Sequence, residues 1–322
     1  MSFKIRLLLA AMLGASALSA SAAEVTLKLG HQGNEEHSWH KASVKFAELV
    51  AAKTQGAVEV KVYPNESLGK EMDIINAVQM GSVDMTITGE SLQNWAPKAA
   101  LLGVPYMISS SSQMEQIVNG PIGKEITDEI LTKTKLRTLA WFERGPRNLT
   151  ANRPITKPSE LNGLILRLPN VPLFISTWKA LGAQPTPMAL SEVFTGLQQG
   201  VVQGQENPLS LTMSYSMFEV QKYINKTEHV RSWIYLVVGD RKFGKLKPAH
   251  QQAIVAAAKE AQAFEREQFM KDEAKLIDDL KAKGMQVVEV DQKAFADVAR
   301  PAVEKAIKPE IRALYQKALA VK

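Results

Sequence analysis

The chain has 322 residues, 45% of them hydrophobic, with 39 Lys plus Arg against 33 Asp plus Glu for a formal charge of +6, and no cysteine. The missing cysteine excludes disulfides, thiolate metal sites and a cysteine nucleophile, and a mild basic excess without Lys/Arg blocks gives no nucleic-acid footprint. A chain this long has enough apolar material for two ordinary cores without covalent staples.

Residues 1–23 carry Lys4 and Arg6, then the apolar run LLLAAMLGASALSA, then small residues ending SASAA before Glu24. This is the pattern of a secretory signal peptide, and its apolar part is too short for a comfortable membrane span. Loss of its two basic and no acidic residues lowers the formal charge from +6 to +4. No other stretch is long and apolar enough to span a bilayer, so a soluble periplasmic protein, not itself membrane-embedded, is expected.

EVTLKLG (24–30) alternates polar and apolar residues, as a strand does. HSWHKASVKFAELVAAKTQG (37–56) then has helical spacing and a glycine stop. AVEVKVYP (57–64) predicts a second strand, KEMDIINAVQMG (70–81) a helix closed by glycine, DMTIT (84–88) a third strand and LRTLAWF (136–142) a fourth. RNLTANR (147–153) and GLILRL (163–168) predict further strands. VPLFISTWKALG (171–182) and ALSEVFTGLQQG (189–200) predict helices, with Pro172 in the first turn of one and Ser191 as N-cap of the other. HVRSWIYLVVGD (229–240) is a long β-rich run fit to pass between domains. Pro248 to Gly284 is a nearly unbroken helical pattern, about 50 Å long at 1.5 Å per residue and long enough to cross two lobes. Strands alternating with helices predict βαβ units and a mostly parallel sheet, whose ligands sit at the carboxyl ends of the strands.

Catalytic signatures are missing. His37 and His40 lie three apart without a third ligand at metal-site spacing, so surface or capping roles are expected. NGPIGKE (119–125) lacks a complete phosphate-binding loop and is expected to be a turn, and there is neither a G-x-S-x-G elbow nor an H-E-x-x-H pair. No cofactor or metal is called for. An enzyme would need Glu71 or Glu90 to act as a base without a coherent partner set.

The informative residue is Arg167 in LILRLPN (164–170). Leu164, Leu166 and Leu168 alternate as one face of a strand, leaving Ile165 and an always-charged guanidinium on the other. Nearby strand ends carry Arg144 and Arg147 (FERGPRNLT) and Gln203, Gln205, Glu206 and Asn207 (VVQGQENP). Arginine forks match a carboxylate bidentately, so the set suits an organic acid. The competing reading pairs Arg167 with a carboxylate of its own chain, Glu192 or Glu206.

The block from Arg147 through LNGLILRLPNVPLF to ALGAQPTPMALSEVFTGLQQGVVQGQENP resembles the DctP-like substrate-binding proteins of tripartite ATP-independent periplasmic (TRAP) transporters. YPNESLGKE, VQMGSVDMTITGES, GVPYMI and MFEVQKYI extend the resemblance over essentially the whole mature chain. It implies an α/β, two-lobed periplasmic binding protein fold with mixed, mostly parallel sheets, hinge strands and one long helix spanning both lobes. Lobe I would be 24–145 with about 234–273, and lobe II 146–233 with about 274–322. It further implies that Arg167 grips the ligand carboxylate, that Arg147 lies near it, that Asn207 completes the shell, and that Gln32, Glu71 and Gly89-Glu90 contribute from the first lobe. A membrane permease is the implied partner.

Departures from the family pattern bear on the ligand. Leu190 in PMAL replaces a bulky aromatic found in some members, and Gln203 stands where an acidic residue is common. Neutral donors with Trp95 and Tyr106 as aromatic walls suit a hydroxylated ligand. A sugar acid, a uronate or aldonate, is therefore expected. A four-carbon dicarboxylate (succinate, malate or fumarate) is the alternative, and needs a second cation for which only Lys70 and Lys98 stand near.

Overall fold

The structure, a computed structural model, describes residues 23–321, so all but the last residue of the expected leader lies outside the described residues. In chain order the elements begin with β1 (Val25–Gly30), α1 (Ser38–Lys53), β2 (Val58–Tyr63), α2 (Glu71–Met80) and β3 (Met85–Thr88). Two 3₁₀ segments, Glu90–Asn94 and Pro97–Gly103, lead to α3 (Ser111–Asn119), α4 (Pro121–Thr134) and the long β4 (Leu136–Ala151). Next come β5 (Ile165–Leu168), α5 (Pro172–Ala180), β6 (Gln184–Pro187), α6 (Leu190–Gln198), β7 (Gly204–Pro208) and α7 (Leu209–Ser214). The chain closes with β8 (Tyr223–Gly239), α8 (Asp240–Phe243), α9 (Pro248–Ala282), β9 (Gln286–Val288), α10 (Gln292–Ala306) and α11 (Pro309–Leu319).

The strands form a single sheet in the order β2-β1-β3-β8-β4-β7-β5-β6, with β9 beside β8. The β1–β2, β1–β3, β5–β6, β5–β7 and β8–β9 pairs are parallel. The pairs β3–β8, β4–β8 and β4–β7 are antiparallel. The two long antiparallel strands hold the rest together: β3 pairs with Tyr235–Val238 of β8, whereas β7 pairs with Arg147–Ala151 of β4, at the opposite end of the ribbon. The parallel groups β2-β1-β3 and β7-β5-β6 therefore hang from different ends of the same ladder.

Successive residues of this ribbon face different cores. Trp141, Tyr235 and Val237 join the apolar cluster built with α2 to α5, α10 and α11, and Ala140, Phe142, Ile234, Leu236 and Val238 join the one built with α1, α6 and α9. Period-two alternation puts these sets on opposite faces, which explains why IYLVVG reads as a continuous apolar run. The long helix α9 packs on α1 at one end and on α7 and β9 at the other, as the span of its sequence pattern predicts.

Four local expectations need correction. LRTLAWF and RNLTANR are one strand, because the ladder passes Gly145-Pro146 as a bulge that accommodates the missing proline N–H, pairing Arg144 with Ser232 and then Arg147 with Val230. NGPIGKE joins two helices, with Pro121 in the first turn of α4, where its missing donor costs nothing. Ala189 rather than Ser191 caps α6, and Glu192 supplies the bond by accepting from Ala189 N at 3.3 Å. His37 does cap α1, accepting from Trp39 N through Nδ1, but it is buried rather than superficial.

Candidate ligand-binding site

The carboxyl ends of β1, β3, β5 and β7 converge on a cleft with two connected chambers. The inner one has room for about 30 Å³ and is walled by Arg144, Arg147, Arg167, Asn207 and Glu90 with Trp39 and Leu190. The outer one, about 370 Å³, is walled by Glu66, Lys70, Asn170, Met188 and Glu192, and shares Gln32, Glu71, Ser91, Arg167, Pro169 and Leu190 with the inner. Bonds between the two halves of the chain roof the space: Asn94 Nδ2 donates to Asn170 O at 2.9 Å, Ser191 N to Glu66 Oε2 at 3.2 Å and Lys70 Nζ to Glu192 Oε1 at 2.5 Å.

The three arginines differ in what they hold. Arg147, on β4, is gripped by Glu206 of β7: Nε donates to Oε2 at 2.5 Å, and Nη2 to Oε1 at 2.7 Å and to Asn207 Oδ1 at 3.1 Å. Burial alone would raise the Glu206 carboxyl, but Arg147 and His229 hold it down at about 2. His229 stands behind, with Nε2 at 2.8 Å from Glu206 Oε2 and Nδ1 at 2.9 Å from Thr227 Oγ1, and burial keeps its own pKa below the usual value. Arg144 is likewise committed, paired with Glu90 and donating to Ser232 Oγ, which in turn donates to Glu90 Oε1 at 2.7 Å.

Arg167 holds no acid. Both its Nε and its Nη2 donate to the carbonyl of Met188, at 2.9 and 2.6 Å, and among the described residues no carboxylate forms an ion pair with it. The side chain is only 2% exposed, and burial drags its pKa down to about 10. Neither acid named as its competing partner is available, since Glu206 serves Arg147 and Glu192 serves Lys70. Beside it, Asn207 Nδ2 gives one hydrogen to Gln205 Oε1 at 2.6 Å and keeps the other.

Across the cleft, Glu71 at the start of α2 is a carboxylate held entirely by neutral donors: Thr88 Oγ1 at 2.8 Å, Ser91 Oγ at 2.7 Å and Gly89 N at 3.4 Å. Gln32 reaches Glu66 Oε1 at 3.0 Å. Of the eight residues singled out from the sequence, Arg167, Arg147, Asn207, Glu90, Gln32, Glu71 and Leu190 line the cleft. Trp95 does not. The 3₁₀ turn that ends at Asn94 swings it onto the apolar cluster beside α2, where Tyr106 also packs. Trp39, in the first turn of α1, is the aromatic wall instead. Gln203 also lies away from the cleft, accepting from Ile165 N at 3.1 Å.

Residues 29–310 match the family described as bacterial extracellular solute-binding protein, family 7 (DctP). The chain belongs to that family. A solute-binding protein of Roseobacter denitrificans is 53% identical over 311 residues, spanning 96% of each chain. The 2,3-diketo-L-gulonate-binding periplasmic protein YiaO of Escherichia coli is 34% identical over 288 residues, 88% of each. The crystal structure of the Roseobacter protein, a TRAP periplasmic solute-binding protein with bound L-galactonate, superposes with a TM-score of 0.92 at 52% identity over 93% of this chain and 100% of that one. The two-lobed architecture of these solute-binding proteins is thus the architecture of this chain.

Proposed function

We propose that this DctP-family chain captures a sugar acid, an aldonate or uronate, in the cleft and hands it to the membrane permease subunits of a TRAP transporter from the periplasm, where the leader at 1–23 directs it. The observation that carries this reading is Arg167: a buried fork with no acid of its own chain. An incoming carboxylate supplies the missing charge, and Asn207 Nδ2 offers a second donor to it. The inner chamber, about 30 Å³, has room for about two water-sized groups, which is the bulk of a carboxylate. The outer chamber then receives the polyol, facing Glu71, Gln32, Ser91 and Leu190. The relatives that bind L-galactonate and 2,3-diketo-L-gulonate support a six-carbon acid.

The division into lobe I (24–145 with about 234–273) and lobe II (146–233 with about 274–322) follows from the same reading, with the hinge at the β4 bulge. Lobe closure about such a hinge signals occupancy. A four-carbon dicarboxylate is disfavoured because Lys70 at the cleft is engaged with Glu192, and Lys98, paired with Glu125, lines neither chamber. A thermal-shift panel tests the proposal: at about 100 times Kd a true ligand stabilises by roughly 2.7 kcal/mol. Aldonates and uronates are expected to raise Tm. A shift with succinate or malate and none with any sugar acid would overturn it.

A further inference from the structure

The cleft has two electrical poles. Its inner end is Arg167, and facing it, lining both chambers, is Glu71; among the described residues neither forms a direct ion pair, and each feels opposite charge only at a distance. The mouth beyond adds Glu66, Asp73 and Glu192 against Lys70 alone, whose charge Glu192 already takes. Glu71 is fixed by three neutral donors, which use three of the roughly four lone-pair positions of a carboxylate and leave one. Glu71 lines both chambers, and the position left to it accepts only from a donor. A hydroxyl satisfies it, whereas a second carboxylate there places like charges together inside a low-dielectric cleft.

We infer that Glu71 is a specificity determinant that selects monoanionic polyhydroxy acids and rejects the diacids of the same carbon skeleton. The inference rests on the sugar-acid reading of the site and refines it. Specificity here comes from a repulsive element as much as from the arginine fork. Lobe I supplies the repulsion and lobe II the attraction, so the second charge of a diacid meets Glu71 when the halves come together.

Calorimetric titration of the full chain with L-galactonate and with galactarate tests it, since the two share every carbon and differ by oxidation of the terminal CH₂OH to a carboxylate. L-Galactonate is expected to bind at least about 30-fold tighter, and Glu71→Gln, which keeps an acceptor and removes the charge, is expected to narrow that ratio at least about fivefold. Comparable affinities for the two acids in the unaltered chain overturn the inference while leaving the sugar-acid reading standing. So does a ratio untouched in a Glu71→Gln protein whose melting curve remains cooperative. Failure of both acids, and of every other sugar acid, to bind brings down the reading and the inference together.

Discussion

Replacing Arg167 with alanine separates binding from folding. The ligand loses two charge-assisted bonds of roughly 1.5–3 kcal/mol each, about 3–6 kcal/mol in all, equivalent to a roughly 10²- to 10⁴-fold rise in Kd. The fold loses much less. Two donors to the Met188 carbonyl disappear, worth about 1 kcal/mol each, but so does a cation that burial has already pushed down to about 10 and that no acid pairs with directly. Calorimetric titration at pH 7.5 with scanning calorimetry of the ligand-free protein should therefore show severely weakened binding in a chain whose Tm stays close to that of the parent. Arg167→Lys keeps the charge but not the fork, and is expected to lose at least tenfold or so in affinity. A well-folded Arg167→Ala protein that binds within about threefold of the parent would refute the reasoning.

The other arginine should behave oppositely. Arg147→Ala strands Glu206 in the interior and is expected to cost about 3–5 kcal/mol in urea denaturation, whether or not ligand is present; a loss below about 1 kcal/mol would contradict the pairing. Leu190→Phe adds bulk to a buried position lining both chambers and should weaken six-carbon acids by about 1–3 kcal/mol relative to shorter ones, checked by titration with a chain-length series. Glu265, fully buried on α9 and bonded to Ser38 Oγ and Glu143 N, has its pKa raised by burial from 4.5 to about 8. The folded chain therefore keeps a proton that the unfolded chain releases: the stability this provides is full below about pH 4.5 and disappears as pH rises towards 8. Glu273, raised by burial to about 7, acts in the same sense, so Glu265→Gln should flatten but not abolish the fall in Tm between pH 5 and about 8. An unchanged slope would count against a protonated Glu265.

Strands and helices were legible wherever one local rule governed them: alternation in VEVKVY, a left-handed glycine closing α2 at Gly81, proline opening α5. Arg167 was legible as an anomaly, because a guanidinium on an apolar strand violates that alternation. What local rules do not contain is who pairs with whom. Glu206 and Arg147 are 59 residues apart and Glu90 and Arg144 54 apart, and only the folded sheet brings them together. For the same reason the sequence offers three equivalent arginines where the structure has one unpaired and two engaged. Trp95 was named from its aromatic character alone, and composition does not say which way a side chain points: it packs on the apolar cluster instead.

The ribbon of β4 and β8 has a mechanical consequence. These strands run from one lobe into the other as hydrogen-bonded backbone rather than as a flexible tether, interrupted by the bulge at Gly145-Pro146. Such a joint bends and twists along a restricted arc, like a leaf spring, and does not swivel freely. A ladder held by backbone hydrogen bonds on both sides of that bulge leaves the two parallel strand groups few relative orientations.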